Sequence, residues 1–342
     1  MSNHAVFQAF EAAMRDAGPA LAREQQEWMF DRGDWFELAA RHTPNGEPLV
    51  IKGEAGNSRC WLFCGRDGAS ALALSNWYSL RYGVVTEGPT PPYHELVTGL
   101  RKAGISRIQL EPTGPEEEFV AALRSRAWLV RREQINVSWR IDVAGQSFEE
   151  YWQARPSRLR NTYKRKVKKA GLDCRIHSHF DHEIWSQVCE VFDNSWKKPD
   201  GTPELTYEFF RQEAEAGTLR LGLAYRNARP VAAQLWTIEG RTAIIHLLAY
   251  REDEKNLSAG TILSHELFRH AIDEERVGLI DFGIGDHAYK REWMDYSVPL
   301  YSLTAYHTLS LSGLAQIGTM LGRKVRAALP FRRGKDGESA SA

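Results

Sequence analysis

The sequence predicts an α/β (α+β) protein in which mixed, mostly antiparallel sheets are flanked by helices. Its 342 residues suggest two domains or one large domain, because a domain usually holds about 100–200 residues. Short β-branched and aromatic runs alternate with amphipathic helical patterns in both halves of the chain. Hairpin turns such as RNARP and EGR join successive apolar runs of the second half, which predicts antiparallel neighbours there.

The first half is predicted to be one α/β layer. From Trp28 to Val85, short aromatic and β-branched runs separated by Gly, Asn and Asp indicate a sheet. Residues 91–104 end at a glycine, and residues 115–128 start with a proline and three carboxylates, so both segments are expected to be helices. Residues 105–112 and 135–143 alternate like strands.

The second half repeats this pattern with stronger signals. One helix is expected from about Ser147 to Ala170. After it, strands are expected over residues 172–180, 219–226, 230–238, 242–250 and 278–283, and those at 219–226, 230–238 and 242–250 are expected to be antiparallel. Helices are expected over residues 182–196, 207–217 and 261–275.

Composition excludes several classes of protein. Forty-four Lys and Arg balance 44 Asp and Glu, which argues against a disordered chain or a general polyanion binder. Four cysteines cannot form a disulfide framework in so long a chain. The uncharged stretch from Ser297 to Gly322 is interrupted by polar residues and makes a poor membrane span. Without a secretory pattern at the N-terminus, the expected location is the cytoplasm, with peripheral contact at the inner membrane surface as a further option.

A glycine stands at a junction between a strand and a helix in the second half. After the strand ending at Tyr250, the loop REDEKNLSAGT opens directly into a helix with an apolar face. Backbone N–H groups at a helix start have no helical partner, and Gly260 lets an anion approach them closely. The junction therefore predicts an anion-binding loop, with a helix start that binds no ligand as the alternative.

The loop resembles the acetyl-CoA pyrophosphate loop of the GNAT acyltransferases, Gln/Arg-x-x-Gly-x-Gly/Ala. The matching string is Lys255-Asn-Leu-Ser258-Ala-Gly260, with Lys in the first position and Ser in the first glycine position. The resemblance implies that acetyl-CoA or another acyl-CoA is the co-substrate. The residues that it implies in binding are Lys255, Ser258, Ala259, Gly260 and Thr261.

A second string extends the resemblance. Asp281-Phe-Gly-Ile-Gly-Asp286-His-Ala-Tyr289-Lys290-Arg-Glu-Trp293, with 258–261 and 195–197, resembles the GNAT-like acetyltransferase family associated with bacterial cellulose and exopolysaccharide synthesis. That family shares its fold with the Fem-type peptidoglycan aminoacyl transferases, which implies two GNAT-like domains in tandem. The resemblance covers roughly residues 151–293 and, more loosely, the string LSNWYSLRYG of the first half.

The resemblance implies a division of the chain into three parts. Residues 1–140 would form a degenerate GNAT-like domain that shapes the acceptor cleft and binds no cofactor, since it has no comparable phosphate loop. Residues 141–326 would form the acyl-CoA-binding domain. Residues 327–342 have the composition of a disordered basic tail.

Acyl transfer from a thioester requires removal of a proton from the acceptor and stabilisation of the departing thiolate. We hypothesise that Asp281, Asp286 or His246 is the base. The resemblance implies that Tyr289 donates to the thiolate, as the tyrosine after the fifth strand does in many GNAT enzymes. Structural roles stay open: Asp281 in a turn, Asp286 as the cap of a short helix, and His246 as a core histidine.

The region from residue 155 to residue 169 carries eight basic residues and no acid. An apolar stripe at Leu159, Tyr163 and Val167 would dock one face on the protein. The charged face is either simply solvated or contacts an anionic acceptor, cofactor phosphates, nucleic acid or lipid head groups. The candidate substrate-binding residues are Arg160, Lys164, Trp196, Lys197 and Lys290; for Lys290 an exposed lysine without a function is the alternative.

Two further segments invite functional readings. The spacing of Cys174, His177, His179, His182 and Cys189 matches no standard zinc pattern, so no metal is predicted. Residues 309–334 are amphipathic and basic at their end; docking on the protein core is the default expectation, and attachment to a membrane surface is the alternative.

These observations predict a GNAT-type acyltransferase that moves an acetyl or other acyl group directly from acyl-CoA to an amine or hydroxyl. The acceptor is expected to be a small molecule or a saccharide, and its assignment to envelope or exopolysaccharide synthesis rests on the resemblance. Two alternatives stay open. One is a Fem-type transferase that uses aminoacyl-tRNA and binds that nucleic acid, and the other is a non-catalytic protein that holds an anionic membrane or polymer.

Overall fold

The computed structural model describes the backbone of residues 3–197 and 201–328, and side chains up to residue 319. Thirteen strands in these residues belong to one sheet. They are β1 (His4–Phe7), β2 (Glu47–Ala55), β3 (Ser58–Asp67), β4 (Ser70–Ala73), β5 (Val85–Glu87), β6 (Arg107–Thr113), β7 (Trp128–Asp142), β8 (Asp173–His177), β9 (Leu219–Arg226), β10 (Arg229–Glu239), β11 (Thr242–Tyr250), β12 (Leu279–Ile284) and β13 (Tyr296–His307).

Helices flank this sheet and make its connections. They are α1 (Phe10–Ala17), α2 (Gly33–His42), α3 (Tyr93–Lys102), α4 (Glu117–Ser125), α5 (Phe148–Ala154), α6 (Ser157–Ala170), α7 (His182–Asp193), α8 (Pro203–Glu215), α9 (Ala259–Arg269), α10 (Lys290–Trp293) and α11 (Leu311–Ala328). No helix among the described residues is long and apolar enough to cross a bilayer.

The strand order is β1-β2-β3-β4-β6-β13-β7-β12-β11-β10-β9-β8, and β5 pairs with β3. All neighbouring strands are antiparallel except two pairs, β4 with β6 and β11 with β12. Each half of the chain therefore contributes four antiparallel strands, a connection that contains a helix, and a fifth strand parallel to the fourth. The expected fold class, a mixed and mostly antiparallel sheet flanked by helices, is confirmed.

Two long strands cross between the halves of the sheet. β7 follows the first half in sequence but pairs with β12 of the second, while β13 follows the second half and pairs with β6 of the first. The two strands also pair with each other from Tyr296–Arg140 to His307–Trp128. The predicted boundary after residue 140 thus falls within β7.

Both parallel pairs are short. Thr242, Ala243 and Ile244 pair with Leu279, Ile280 and Asp281, and β11 then continues to Tyr250 beside β10 alone. β4 and β6 likewise pair over only three residues. The parallel strands therefore part towards their carboxyl ends, where sites in α/β sheets usually lie.

Two hydrophobic cores cover the faces of the sheet. The first joins the first half to α7 and α8 and includes Trp61, Phe36 and Phe63, with the two phenylalanine rings stacked 4.2 Å apart. The second packs α5 and α9 against the opposite face of the second half around Trp236 and Phe268. These cores fix the helices that carry the functional residues described below.

The structure differs from the sequence-based expectations in three places. The helix expected from Ser147 to Ala170 is two helices, because Pro156 forces Arg155 into an extended conformation (ψ 154°). The segment expected to be sheet between Trp28 and Val85 includes the helix α2, whose buried residues include Trp35 and Phe36.

The third difference is at the end of the chain. α11 begins with Leu311, which is 89% exposed, and Leu314 is 52% exposed, so these leucines do not dock on the core as expected. Residues 327 and 328 of the expected tail belong to α11, and residues 329–342 lie outside the described part of the chain.

Candidate functional site

α9 starts at an open position beside the end of β11. Ser258 precedes it with a left-handed backbone (φ 57°), and Ala259, Gly260 and Thr261 form its first turn. A Cβ atom at Gly260 would meet only Tyr250 Cδ1, at 3.4 Å, and the φ of Gly260 is not positive. Internal packing therefore does not require a glycine here, although glycine in a helix costs about 0.5–1 kcal/mol relative to alanine. Close approach of a ligand to the backbone would explain it.

A buried amide holds this helix start on the sheet. Gln234 of β10 is fully buried, and its Nε2 donates to Gly260 O at 3.2 Å and to Ser264 Oγ at 2.7 Å. Trp236 Nε1 donates to Gln234 Oε1 at 3.0 Å, which fixes the orientation of the amide. Side chains thus satisfy the polar atoms inside the sheet–helix layer, and the exposed end of α9 stays in one position.

The end of α7 lies against the same loop. Glu252 N donates to Asn194 O at 3.0 Å, and the ring of Trp196, 47% exposed, packs on Tyr250 with centroids 4.3 Å apart. Lys197 is partly buried, and burial lowers its pKa to about 8. The structure therefore brings Trp196 and Lys197 next to the start of α9, from which they are more than 60 residues distant in sequence.

β12 bulges where it leaves β11. Asp281 pairs with Arg140 of β7 but Ile284 pairs with Ser138, so three residues of β12 span two of β7. Gly283 sits in the bulge at φ 66°, where a Cβ would lie 3.2 Å from Ile245 O. Only glycine adopts this turn without strain.

Asp281 is buried and holds the bulge from inside. Its carboxylate accepts from Ser138 Oγ at 2.5 Å, Arg140 Nε at 2.8 Å and Gly283 N at 2.8 Å. Because both oxygens already accept charged or backbone donors, this geometry favours the turn-forming role that sequence left open over the role of base.

Lys290 is buried, so the alternative of an exposed lysine is wrong. Its Nζ donates to three consecutive backbone oxygens of the bulge, Phe282 O at 2.8 Å, Gly283 O at 3.0 Å and Ile284 O at 2.7 Å. Burial lowers the pKa of Lys290 to about 8, Asp281 opposes that shift, and the charge of Lys197 adds to it. Two amines of lowered pKa therefore lie near each other beside the bulge.

Tyr289 precedes α10 on the outer side of the bulge. Its ring meets Phe282 edge-on at 5.7 Å and stacks on His287 at 5.8 Å, and 41% of the residue is exposed. Partial burial raises the pKa of Tyr289 to about 12, so the hydroxyl keeps its proton at neutral pH. A protonated phenol at this position can donate to a developing thiolate.

The position of Asp286 in the sequence suggested that it caps the short helix, but it does not. α10 has no side-chain cap, and Asp286 instead pairs with Arg291 at 2.7 Å and accepts from Trp139 Nε1 at 3.2 Å. The hydrogen bonds from Arg291 lower the pKa of Asp286. A solvent-exposed carboxylate of lowered pKa is a weak base for an amine or hydroxyl.

His246 lies in the core, among the rings of Phe30, Tyr78 and Phe209. Its Nε2 hydrogen-bonds Thr237 Oγ1 at 2.8 Å, and within the described part of the chain no partner of Nδ1 is found. Burial lowers the pKa of His246 to about 3, so the ring is neutral. This environment favours the core role that the sequence left open.

The remaining candidates flank the helix start. Ala259 is buried, Lys255 pairs with Glu252 at 3.1 Å, and Arg160 Nη1 donates to Gln153 Oε1 at 2.7 Å. α6 docks through the apolar stripe predicted for it, with Leu159 buried and Tyr163 stacked 3.7 Å from His265.

The outer face of α6 carries unpaired positive charge. Among the described residues, no ion pair is found for four of its cations, Lys164, Arg165, Lys168 and Lys169. Lys166 of the same helix donates to Asn256 O at 2.6 Å, which places this charge beside the loop that leads to α9.

Sequence reasoning missed two features of this region. Gln234 gives no local signal, since a buried amide in a strand is recognised only once its partners on α9 are known. A cavity beside Ile284 was also missed, although four of its lining residues belong to the LSNWYSLRYG string. Among the described residues, no group of His, Cys, Asp and Glu is arranged to hold a metal ion.

Comparison with known proteins agrees with this geometry. Residues 157–291 match the model of the acetyltransferase (GNAT) domain, which includes both the α9 start and the bulge. The structure is similar to FemX, with 11% identity, a TM-score of 0.59, and coverage of 92% of this chain and 99% of that one. The chain has a GNAT-type transferase fold. A search of curated protein sequences gave no match.

Two other solved structures share this GNAT-type fold. One is the C-terminal domain of a putative lysylphosphatidylglycerol synthetase from Agrobacterium fabrum, with 14% identity, a TM-score of 0.57, and coverage of 92% of this chain and 97% of that one. The other is L-PGS from Bacillus licheniformis, with 13% identity, a TM-score of 0.51, and coverage of 78% and 86%. At such identities the similarity concerns the fold alone.

Proposed function

We propose that this protein transfers an acetyl or other acyl group from acyl-CoA directly to an amine or hydroxyl of a sugar or of an envelope or exopolysaccharide precursor. The observation that carries the proposal is the open start of α9 at Gly260, next to strands that part and within the segment that matches the GNAT domain. The assignment of the acceptor to a saccharide pathway rests on the family resemblance of the Asp281–Trp293 string.

The first turn of α9 would bind the phosphates of acyl-CoA. The N–H groups of Ala259, Gly260 and Thr261 lie at a helix start, where the helix dipole also favours an anion. Ser258 replaces a glycine of the motif, but its left-handed backbone supplies the turn that a glycine would give. The cations of α6 lie close by and would add to the attraction.

The transfer step would take place at the bulge of β12. The acceptor nitrogen or oxygen attacks the thioester carbonyl, the new C–N or C–O bond forms, and the C–S bond breaks. Tyr289 gives its proton to the departing sulfur, and the proton of the acceptor passes to a base or to solvent. Lys290 would keep the bulge in one shape and supply positive charge near the oxyanion. No covalent enzyme intermediate is needed, since positioning supplies much of the rate.

Calorimetric titration with acetyl-CoA tests the proposal. We expect micromolar binding by the wild-type protein and at least about a hundredfold loss in Gly260→Asp, whose carboxylate would stand among the phosphates. Gly260→Ala separates bulk from charge: its Cβ atom meets only Tyr250, at 3.4 Å, so the variant should fold normally and bind more weakly than the wild type but more tightly than Gly260→Asp. Binding that survives in Gly260→Asp, or no binding by the wild type with and without candidate saccharides, would contradict the proposal.

One observation supports a second candidate, a Fem-type transferase that uses aminoacyl-tRNA. The exposed face of α6 presents a row of cations, with Lys164, Arg165, Lys168 and Lys169 free of ion pairs in the described structure. Such a surface suits a polyanion, whose binding weakens steeply with salt. Filter binding of charged tRNA at two salt concentrations separates the candidates: tight, salt-sensitive binding together with no acetyl-CoA binding would favour the second.

A further inference from the structure

A cavity of about 500 Å³ opens where β4 and β6 part, in the first half of the sheet. Its walls come from Asn45, the end of β4 and the turn after it, the end of β6, and residues 135 and 136 of β7. Ile284, the last residue of β12, closes the side that faces the second half. Cavities of about 300–1,000 Å³ are typical of small-molecule sites.

The cavity adjoins the proposed transfer site through one residue. Ile284 lines the cavity, and its backbone oxygen accepts a hydrogen bond from Lys290 Nζ at 2.7 Å. A molecule in the cavity therefore lies directly beside the bulge at which acyl transfer is proposed. This placement suits the acceptor rather than the acyl donor, whose phosphates are expected at α9.

The lining mixes polar and apolar side chains and carries little charge. Amide and hydroxyl side chains, which include Asn45, Asn76, Gln109 and Asn136, stand beside apolar ones such as Leu72 and Ile135. Among the residues that the structure describes, no Lys or Arg lines the cavity, and Glu111 is the one charged lining residue. Amides and a carboxylate recognise hydroxyl groups through hydrogen bonds, whereas a phosphorylated ligand would lack cations here and would meet a negative charge.

Glu111 is available to such a ligand. Among the described residues, neither a salt bridge nor a side-chain hydrogen bond is found for its carboxylate, and the residue is only partly buried. Ser75 Oγ donates to the backbone oxygen of Glu111 at 2.6 Å, which fixes the main chain but leaves the carboxylate free. A carboxylate in this state accepts hydrogen bonds from two hydroxyl groups of one ligand.

Trp77 supplies an aromatic surface to this cavity. The residue is 54% exposed, and its indole N–H donates to Thr202 Oγ1 at 2.9 Å, which orients the ring. The turn that carries it is rigid, because Asn76 Oδ1 accepts from Tyr78 N at 2.9 Å and Ser79 N at 3.1 Å. A fixed aromatic face beside hydroxyl-binding groups matches a pyranose ring, which has one apolar face and a rim of hydroxyls.

We infer that this cavity binds an uncharged carbohydrate, with Trp77 against the sugar face and Glu111 on its hydroxyls. The inference rests on the proposed function only in naming this carbohydrate as the acyl acceptor. The Glu111 carboxylate would repel a phosphate group of a lipid, a nucleotide sugar or tRNA, so such anionic groups should bind this cavity more weakly than a neutral sugar.

Saturation-transfer difference NMR with defined probes tests the inference in the full-length protein with CoA present. The neutral probes are cellotetraose and maltotetraose, and the anionic probes are UDP-glucose and phosphatidylglycerol vesicles. We expect at least one neutral tetrasaccharide to bind, with affinity about tenfold weaker in Trp77→Ala and several-fold weaker in Glu111→Gln. The matched controls are Tyr207→Ala, another exposed aromatic, and Glu133→Gln, an exposed carboxylate outside the cavity.

The outcomes separate this inference from the proposed function. Absence of neutral tetrasaccharide binding, binding that Trp77→Ala leaves unchanged, or equally tight binding of the anionic probes at this cavity would overturn the inference. Gly260→Asp should lose acetyl-CoA and keep the tetrasaccharide. Tetrasaccharide binding by a wild-type protein that ignores acetyl-CoA would refute acyl transfer and leave the carbohydrate site standing.

Discussion

The helices that follow the fourth strand of each half start in different ways, although the strands around them are arranged alike. α3 follows Pro91 and Pro92, which have no N–H, and the next donors are used internally: Tyr93 N bonds to Pro91 O and Glu95 N to Pro92 O. α9 has no proline and no acidic residue in its first turn. Equal topology thus leaves the helix start without proline and acidic residues in only one half.

Tight packing also covers the start of α3. Gly53 of β2 lies against α3 so tightly that a Cβ atom would be 2.6 Å from Leu96 N and 2.7 Å from Pro92 O. At Gly260 a Cβ atom would meet only Tyr250. One glycine is required by backbone contact inside the protein, and the other leaves room for a ligand. The comparison teaches that a glycine near a helix start is informative only when its surroundings are known.

The largest expected effect distinguishes Tyr289 of the second half from Tyr93 of the first. Tyr289→Phe should lower turnover about a hundredfold, because the thiolate loses its proton donor. The affinity for acetyl-CoA, measured by calorimetry, should stay within about twofold, since the hydroxyl acts in the transition state. Tyr93→Phe, at the start of α3, is the control and should leave turnover unchanged; an unchanged turnover in Tyr289→Phe would remove the donor role.

The two glycines give the next effect, measured as the free energy of unfolding in urea. Gly53→Ala should destabilise the protein by about 3 kcal/mol, because the new methyl group overlaps backbone atoms of α3 that cannot move independently. Gly260→Ala should leave stability unchanged or raise it by up to about 1 kcal/mol. Equal losses in the two variants would contradict the distinction drawn between the helix starts.

Two buried lysines, Lys290 of the second half and Lys52 of the first, should differ in their contribution to the free energy of unfolding. Lys290→Met should lower the free energy of unfolding by about 2 kcal/mol, since three buried carbonyl oxygens lose their donor. Lys52 of the first half pairs with Asp16 and Glu54, whose side chains reach solvent. Lys52→Met should therefore cost less, and an unchanged free energy of unfolding in Lys290→Met would show that the bulge does not depend on Lys290.

The smallest expected effect concerns His246, a residue of the second half packed on Phe30 and Tyr78 of the first. Its pKa is about 3 in the folded protein and 6.5 without burial, so below pH 6.5 the unfolded chain binds a proton that the folded one does not. The neutral ring of His246 therefore contributes folding stability that is fully present above pH 6.5. This stability is lost as the pH falls towards 3, about 1.4 kcal/mol of it by pH 5.5.

Urea unfolding at pH 7.5 and pH 5.5 measures that contribution of His246. We expect His246→Gln to lose less stability than the wild type between the two pH values, because the glutamine does not titrate. The same decrease in both proteins would mean that other groups cause the acid sensitivity.

Much of the architecture could be predicted from local patterns. Hairpin turns around β9, β10 and β11 predicted antiparallel neighbours, which the strand pairing confirms. The expected helices around α3, α4 and α9 are present. The split of the helix at Pro156 was also predictable, because a proline restricts the residue before it to an extended conformation.

Less of the candidate site could be predicted. The sequence identified Tyr289, Lys290 and Gly260 as candidates, but not that Lys290 is buried beneath three carbonyl oxygens. Nor did it indicate that Glu111 and Trp77 share a cavity with Ile284, since these residues come from distant parts of the chain. Contacts of this kind depend on strand pairing and leave no local pattern.

The sequence by itself determined the class of fold, most of the strands and helices of the second half, and a glycine at the start of α9, because these follow from periodicity, turns and backbone freedom over a few residues. Only the tertiary structure decided the exchange of β7 and β13, the closure of the first helix start by Gly53, and the cavity beside the bulge. Each of these needs residues far apart in sequence to meet. Their pairing is set by the burial of whole strands and helices rather than by any short segment.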